Sequence, residues 1–278
     1  MTHIDEFYES INSDSVFRKN YLCDDNSARA AVILVHGICE HCDRYAYVIE
    51  RLLAQRVEVY TFDQPGHGRS SGRKGQLSYD QTLKIIDHIK HEILADSPDL
   101  SVFVYGHSMG GAIAIQYGYK FPDSLKGCII TSPALGLKKA IPQKAIPILA
   151  TLARIVPGIT LQNVIEIELL SHDPTVNEAY EQDPMVHNKI SLRLGADLVL
   201  YADRIMQEQA AFPVPAILLQ GAQDGIVDPA STARFARFAG SEIEYHEIPE
   251  GFHELHNEPE RDQYLDLILN WINNNINE

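Results

Sequence analysis

Ser101-Val-Phe-Val-Tyr-Gly-His-Ser-Met-Gly-Gly111 is the stretch of sequence that determines how the rest of the chain folds. Its first five residues have the apolar, β-branched character of a buried strand, and the residues that follow Ser108 are typical of a helix. Glycines at 106 and 110 allow a sharp turn between the two, which holds the Ser108 hydroxyl exposed at the positive end of the helix. A glycine-rich turn with a purely structural role is the alternative, but the pattern and its context favour Ser108 as a nucleophile.

A nucleophilic serine requires a partner that accepts its proton, because a free hydroxyl reacts poorly at neutral pH. At a strand-to-helix nucleophile of this kind, the carboxylate and then the histidine follow the serine along the chain. The apolar run 216–220 predicts a buried strand, and two aspartates follow it, Asp224 and Asp228. Asp228 precedes Pro229 and a helical stretch, as a helix N-cap does. We therefore assign Asp224 the role of orienting the histidine, with Asp228 as the alternative.

Two histidines compete for the role of general base. The last predicted strand, residues 242–248, is followed by the loop signal Pro249-Glu-Gly251 and then by Phe252-His-Glu-Leu-His256. His253 lies nearest the strand end, where the catalytic loop is expected, whereas His256 comes three residues later, at the predicted start of a helix. Position favours His253 as the base.

The tetrahedral intermediate of acyl transfer needs backbone N–H donors for its oxyanion. The amide of Met109, directly after the nucleophile, is the first candidate. The second is expected in the loop that follows the predicted strand 31–35, where Ile38 is the natural donor. Only the amide of Ile38 serves that role, and its side chain is expected to line the acyl pocket.

Five sequence blocks carry more specific information: His36-Gly-Ile-Cys-Glu-His-Cys-Asp-Arg-Tyr45, Asp63-Gln-Pro-Gly-His-Gly-Arg-Ser70, Gly106-His-Ser-Met-Gly-Gly111, Ser132-Pro-Ala134 and His253-Glu-Leu-His-Asn-Glu258. Together they resemble the monoacylglycerol lipase and lysophospholipase branch of the α/β-hydrolases. The first block is more specific to this branch than Gly-x-Ser-x-Gly, which marks only the superfamily. The resemblance implies an α/β-hydrolase fold and a cofactor-free serine hydrolase, acting on esters with a long acyl chain and a small polar head.

By the same matching, Glu40, Arg44 and His256 resemble positions that line the head-group end of the site. Glu40 and Arg44 also have a structural interpretation, as an i,i+4 ion pair at the start of a helix beginning near Asp43. Tyr45 is expected to contribute packing. Both interpretations of the Glu40–Arg44 pair stay open at the level of sequence.

Cys39-x-x-Cys42, with His36 and His41 nearby, is a possible metal or redox motif. We predict no metal here, because the segment must offer an amide to the oxyanion and no second ligand pair follows at zinc spacing. A regulatory thiol is a further alternative, and the role of the two cysteines stays open.

The sequence predicts a soluble cytoplasmic protein. The chain has four cysteines, its start is polar and acidic without a secretory pattern, and it contains no apolar run of about 18 residues.

The pattern of elements predicts the fold. Eight strands are predicted. The first two form a hairpin, and the others follow in a pattern of alternating strands and helices, which indicates a mostly parallel, doubly wound sheet. The strands are predicted at 4–11, 16–23, 31–35, 57–62, 101–105, 127–131, 216–220 and 242–248, and helices at 43–55, 79–95, 110–120 and 230–239. The chain has 278 residues, 45% of them hydrophobic, which suffices for one large core, and its net charge of -15 disfavours nucleic acid as a partner.

The chain between the strands 127–131 and 216–220 is too long for a simple connection and predicts a cap insertion at 138–211, between core parts 1–137 and 212–278. Its first part, residues 138–165, has four cations and no acidic residue, with apolar residues between prolines. Two interpretations are compatible with each other: these apolar residues pack the cap on the core, and they form a lipid-facing lip that makes transient contact with a membrane surface. The later part is acidic and rich in turns, then helical from 190 to 209.

A lipase or esterase for monoacylglycerol or lysophospholipid is the leading functional hypothesis. The alternatives are a short-chain carboxylesterase, a proline-releasing aminopeptidase or a perhydrolase on the same scaffold, and a non-catalytic module that binds a small apolar ligand. A haloalkane dehalogenase is disfavoured, because it uses a carboxylate where Ser108 stands. The sequence leaves open the acyl chain length, the choice between glycerol and a phosphate-bearing head group, and the oligomeric state.

Overall fold

A computed structural model describes residues 2–23, 27–139, 141–162 and 165–276. Its main element is an eight-stranded sheet with the strand order β1-β2-β4-β3-β5-β6-β9-β10. The strands are β1 (Thr2–Ile11), β2 (Asp14–Cys23), β3 (Ala30–Val35), β4 (Val57–Phe62), β5 (Ser101–His107), β6 (Gly127–Thr131), β9 (Ala216–Gly221) and β10 (Ile243–Ile248). β2 pairs antiparallel with both β1 and β4, and the six strands β4, β3, β5, β6, β9 and β10 are parallel to one another. The predicted mostly parallel, eight-stranded sheet is confirmed.

Helices cover both faces of this sheet, as a doubly wound fold requires. They are α1 (Ala46–Ala54), α2 (Tyr79–Asp96), α3 (Met109–Lys120), α7 (Pro229–Ala239) and α8 (Arg261–Ile276). One hydrophobic core contains side chains of α2, α3 and α7, and the second contains those of α1 and α8. The central strands β3, β5, β6 and β9 are buried on both faces, which explains why they are almost continuously apolar.

The first two strands form the predicted hairpin. Its turn consists of Asn12 and Ser13, which both have positive φ angles, of 49° and 75°. Two consecutive positive φ values match the right-handed twist of the flanking strands, and asparagine tolerates this conformation well. The turn therefore lies one residue earlier than the Ser13-Asp14 pair that the sequence indicates.

Five further elements lie between β6 and β9, within the predicted cap at 138–211. They are α4 (Ile146–Ile155), β7 (Thr160–Gln162), α5 (Pro174–Gln182), β8 (Lys189–Ser191) and α6 (Leu192–Glu208), with β7 and β8 forming a small antiparallel sheet. Two local predictions need correction. The helix expected from 43 begins as a 3-10 turn, Cys42–Tyr45, and His256 lies inside a 3-10 turn, Leu255–Asn257, rather than at the start of an α-helix. None of the helices in the described ranges has the length and apolar character needed to cross a bilayer.

Candidate active site

Ser108 lies at the turn between β5 and α3, and its backbone is strained. Its φ of 54° and ψ of -116° are unusual for a residue with a side chain. The turn is possible because its flanking glycines approach other backbone atoms closely. A Cβ at Gly106 would lie 2.2 Å from the carbonyl oxygen of Gly110, and a Cβ at Gly110 would lie 2.1 Å from that of Val35. The geometry is that of a nucleophile elbow, which the sequence predicts.

Ser108, His253 and Asp224 lie in hydrogen-bond contact in that order. The Nε2 atom of His253 is 3.0 Å from Oγ of Ser108, and its Nδ1 atom is 2.8 Å from Oδ2 of Asp224. All three residues are buried. Because the ionised aspartate can only accept, Nδ1 carries the proton and Nε2 is free to accept the serine proton.

The loops after β9 and β10 hold the last two of these residues. Oδ1 of Asp224 accepts the amides of Ile226 and Val227, at 2.8 and 3.0 Å, and Gln220 donates to Oδ2. The backbone of His253 is fixed as well, since its carbonyl oxygen accepts the hydroxyl of Ser132 at 2.8 Å. Both side chains are therefore oriented before any substrate binds.

The electrostatics of the pair suit a base that takes up a proton. Burial opposes the charge on His253, but the adjacent Asp224 carboxylate outweighs it, so that the pKa of His253 is raised above 6.5. Burial likewise works against the ionised form of Asp224. The positive charge of His253 prevails together with the hydrogen bonds from His253, Ile226 and Val227, and the pKa of Asp224 is lowered.

Asp228, the alternative carboxylate, has a different environment. It is the N-cap of α7 and accepts the amide of Ala230 and the hydroxyl of Ser231, with Pro229 at the first helical position. The structure therefore brings Asp224 to the histidine and leaves Asp228 at the helix end.

The loop after β3 lies beside the elbow. A Cβ on Gly37 would be 3.4 Å from the Cβ of Ser108, so Ile38 follows directly at the point of contact. Met109, on the other side, is the first residue of α3, where amides lack intrahelical partners. The two predicted oxyanion donors thus lie on the two segments that meet at Ser108. Cys39 has a φ of 66°, so the loop turns sharply just after Ile38.

Glu40 and Arg44 form the i,i+4 ion pair that the sequence leaves open, and the pair is part of a larger buried network. Arg44 also makes two parallel hydrogen bonds with Glu254, at 2.8 and 2.9 Å, and its guanidinium lies over the ring of Tyr180. Glu40 accepts the hydroxyl of Tyr45 at 2.7 Å. Burial works against the charge of Glu254, but Arg44 overrides it and lowers the pKa of this carboxyl. Whether these groups also contact substrate stays a prediction.

His256 lies close to His253, but its ring nitrogens make no hydrogen bond in the described part of the chain. Its ring stacks on Tyr45, with centroids 4.8 Å apart, and meets the ring of His107 edge-on at the same distance. His107 in turn contacts the ring of His253. Burial lowers the pKa of His256 to about 4, so this ring is neutral at pH 7.

Sequence reasoning missed three residues near this site, His107, Glu254 and Glu258. Glu254 directly follows His253 and His107 directly precedes Ser108, but neither position carries a signal of its own in a single sequence. Glu258, at the end of the last sequence block, is buried at 2% exposure and accepts the amide of Phe252. Arg44, the partner of Glu254, is 210 residues away in sequence, and only the fold brings the two together.

The cysteine motif does not form a ligand cluster among the described residues. Cys39 and Cys42 are buried; Sγ of Cys39 is 3.7 Å from the carbonyl oxygen of Lys189, and the amide of Cys42 donates to Asp63. The one candidate metal cluster in the described ranges is Glu9, His88 and Glu92, on β1 and α2. Arg18 already donates to both of those carboxylates, which leaves the group a salt-bridge network.

The chain is similar to known hydrolases over most of its length. The family model described as serine aminopeptidase, S33, matches residues 26–260. A monoacylglycerol lipase of Mycolicibacterium smegmatis is 31% identical over 251 residues, which are 89% of each chain. Phospholipase YtpA of Bacillus subtilis is 30% identical over 238 residues, 84% of this chain and 91% of that one. The crystal structure of a Paleococcus ferrophilus monoacylglycerol lipase superposes with a TM-score of 0.86 at 32% identity, covering 94% of this chain and 99% of that one. The chain belongs to the serine aminopeptidase, S33, family of α/β-hydrolases and resembles the monoacylglycerol lipases within it.

Proposed function

We propose that the protein is a serine hydrolase that cleaves monoacylglycerols through an acyl-enzyme. One observation carries this proposal: Nε2 of His253 lies 3.0 Å from Oγ of Ser108, and Nδ1 of the same ring lies 2.8 Å from Oδ2 of Asp224. The similarity to monoacylglycerol lipases supports a lipid ester as the substrate.

The mechanism follows from the positions of these groups. His253 removes the proton of Ser108 while the Ser108 oxygen attacks the ester carbonyl carbon. The amides of Ile38 and Met109 stabilise the oxyanion that forms, and His253 then donates its proton to the departing glycerol oxygen. A water molecule, deprotonated by His253, attacks the acyl carbon; the bond to the Ser108 oxygen then breaks, His253 returns the proton to that oxygen, and the fatty acid leaves. Asp224 stabilises the imidazolium in both halves of the reaction.

The charges around the site favour glycerol over a phosphate-bearing head group. Arg44 is the buried cation of the network that contains Glu40 and Glu254, and both carboxylates already bind it. His256 is neutral because its pKa is lowered to about 4. A phosphate would meet two buried carboxylates and no unpaired cation among these groups, whereas a hydroxyl can donate and accept without bringing charge.

The same argument weighs against an aminopeptidase, the activity in the family model's name. A free peptide N-terminus needs an unpaired carboxylate in the site. The buried carboxylates of Glu40 and Glu254 are both already paired with Arg44. A competing lysophospholipase remains the second candidate, because Phospholipase YtpA is similar over 84% of this chain.

Hydrolysis of monoacylglycerols, matched lysophosphatidylcholines and p-nitrophenyl esters of rising chain length tests the proposal. We expect monoacylglycerol to have the highest kcat/KM, and Ser108→Ala to lose both turnover and labelling by a fluorophosphonate. A preference for lysophosphatidylcholine would replace the proposed head group, and Ser108-independent turnover would refute the mechanism.

We also propose that the outer cap segment, residues 138–165, contacts membrane surfaces, so that a cytoplasmic enzyme works at the periphery of a bilayer. On α4, Ile148, Leu152 and Ile155 are 62%, 43% and 71% exposed, and Ala153 is the buried residue of this helix. These side chains therefore do not pack the cap on the core. Lys138 and Lys144 are exposed and make no ion pair with described residues, whereas Lys139 pairs with Glu166.

Binding to phosphatidylcholine vesicles with and without phosphatidylglycerol tests this contact. Each basic group near an anionic surface contributes about 1 kcal/mol, so replacing Lys138, Lys139 and Lys144 with glutamine should weaken binding about 100-fold at low salt. Hydrolysis of a soluble short-chain ester should not change. Lys84→Gln, on α2, is the matched control. Equal binding of the triple variant and the parent would contradict the proposed contact.

A further inference from the structure

The cap is anchored to the loop that holds the catalytic histidine. The amide of His253 donates to the carbonyl oxygen of Leu169, at 3.4 Å, and the amide of Glu254 donates to that of Leu170, at 2.8 Å. Both acceptors belong to the cap, in and after a 3-10 turn that precedes α5. The backbone next to the base is thus held by the insertion and not only by the core.

Glu258 lies where these two segments meet. Its Oε1 atom accepts the amide of Phe252 at 2.7 Å, and its Oε2 atom accepts the amide of His172 at 3.1 Å. Nδ1 of His172 is 3.1 Å from both carboxylate oxygens. One buried side chain therefore bridges the residue before the catalytic histidine and the cap residue two positions after Leu170.

A carboxylate in this position has no role in the chemistry of the Ser108 site described above. Burial of a charge is unfavourable unless hydrogen bonds compensate it, and here N–H groups from both segments face its two oxygens. The ring of His172 also stacks on the ring of Phe252, with centroids 3.6 Å apart. The contacts on the two segments reinforce each other around Glu258.

We propose that Glu258 is a positioning residue, which couples the cap to the catalytic histidine and keeps His253 at the distance from Ser108 that proton transfer requires. The proposal rests on the proposed function, because it assumes that His253 is the base. Glu258 acts through the backbone at Phe252 and does not contact the reacting atoms.

Glu258→Gln is the most direct test, since it keeps the volume of the side chain. A carboxylate can accept on both oxygens, whereas the amide nitrogen of glutamine would place hydrogens against the N–H of either Phe252 or His172. One of the two segments is then released. Because small misplacements of a catalytic group lower rates steeply, we expect kcat for p-nitrophenyl butyrate to fall about 10- to 100-fold, with KM within about twofold of the parent.

The pH profile separates positioning from general destabilisation. Contact with Asp224 raises the pKa of His253, so a loosened histidine loop should move the acid limb of kcat/KM to lower pH. His172→Phe keeps the stacking on Phe252 and removes the ring nitrogen near Glu258. Its side chain is 42% exposed, so folding should survive, and we expect a smaller change in the same two measurements. Glu250→Gln, at an exposed position just before this loop, is the matched control and should behave as the parent.

The outcomes are distinct. If Ser108-dependent turnover and the acid limb stay within about twofold of the parent in both Glu258→Gln and His172→Phe, the positioning role is refuted and the proposed function stands. If Glu258→Gln does not fold, His172→Phe decides the question alone. If parent turnover does not depend on Ser108, the proposed function fails, and the role of Glu258 fails with it.

Discussion

Replacing Asp224 by asparagine tests the assignment of the catalytic groups most sharply. Oδ1 of Asp224 already accepts two backbone amides, from Ile226 and Val227. An asparagine at this position would keep its oxygen there, because turning the amide would set N–H groups against both donors. Its NH2 group would then face Nδ1 of His253, which must become an acceptor.

The consequence is the wrong tautomer of the base. With Nδ1 accepting, the ring proton moves to Nε2 and points at Ser108, so that His253 cannot remove the serine proton. A change of this kind lowers kcat by about 10⁴ in a serine triad, which corresponds to about 5.5 kcal/mol of lost transition-state stabilisation. The loss should appear in single-turnover acylation by an activated ester, before any deacylation step.

Asp228→Asn is the matched control. Asparagine caps helices about as well as aspartate, so α7 should lose no more than a few tenths of a kcal/mol and kcat should not change. Circular dichroism melts should show both variants folded. If Asp228→Asn were the inactive variant and Asp224→Asn the active one, the assignment of the two aspartates would be reversed.

Three further predictions follow from the same geometry. Ser108→Ala should keep the parent melting temperature and lower ester turnover by about 10⁴, as measured by steady-state hydrolysis; more than a tenth of the parent rate would contradict the assignment. His253→Ala should fail to acylate with an activated ester, whereas His256→Ala should still acylate and mainly alter the preference among head groups; the opposite result would exchange their roles. Acid should destabilise the fold between about pH 6.5 and 4. Buried histidines with lowered pKa values bind fewer protons in the folded state than in the unfolded state, so the free energy of unfolding falls as the pH drops through this window. Urea unfolding at several pH values measures this, and a flat profile would contradict it. The histidines concerned are His36, His67, His107, His187 and His256.

Local chain patterns predict the parts of the site that depend on neighbouring residues. The elbow follows from glycines two positions on either side of Ser108, and the choice between two aspartates follows from the capping signal Asp228-Pro229. The strand order places the loops after β9 and β10 at the same edge of the sheet as the elbow, because the carboxyl ends of parallel strands lie at one edge.

The contacts between the cap and the core cannot be predicted from local chain patterns, because they join residues far apart in sequence without any periodic signal. Glu258 and His172 are separated by 86 residues, and Arg44 and Glu254 by 210. Composition shows that residues 138–165 are basic and apolar, but not which of those side chains remain exposed. The exposed side of α4 is a consequence of how the cap packs, and a single sequence carries no direct record of that packing.

The histidines around Ser108 show how the fold separates one base from its neighbours. His107 and His256 lie in ring contact with each other, and His107 also contacts His253, yet burial lowers the pKa values of both. Only His253 has an ionised carboxylate against its ring within this group, and its pKa alone is raised. Because the neighbouring rings stay neutral, they add no positive charge that would oppose His253 when it takes the proton of Ser108 in the proposed mechanism. The neutral rings of His107 and His256 do not repel a protonated His253, and the carboxylate of Asp224 attracts it. Both effects stabilise the imidazolium that acylation requires in the proposed mechanism.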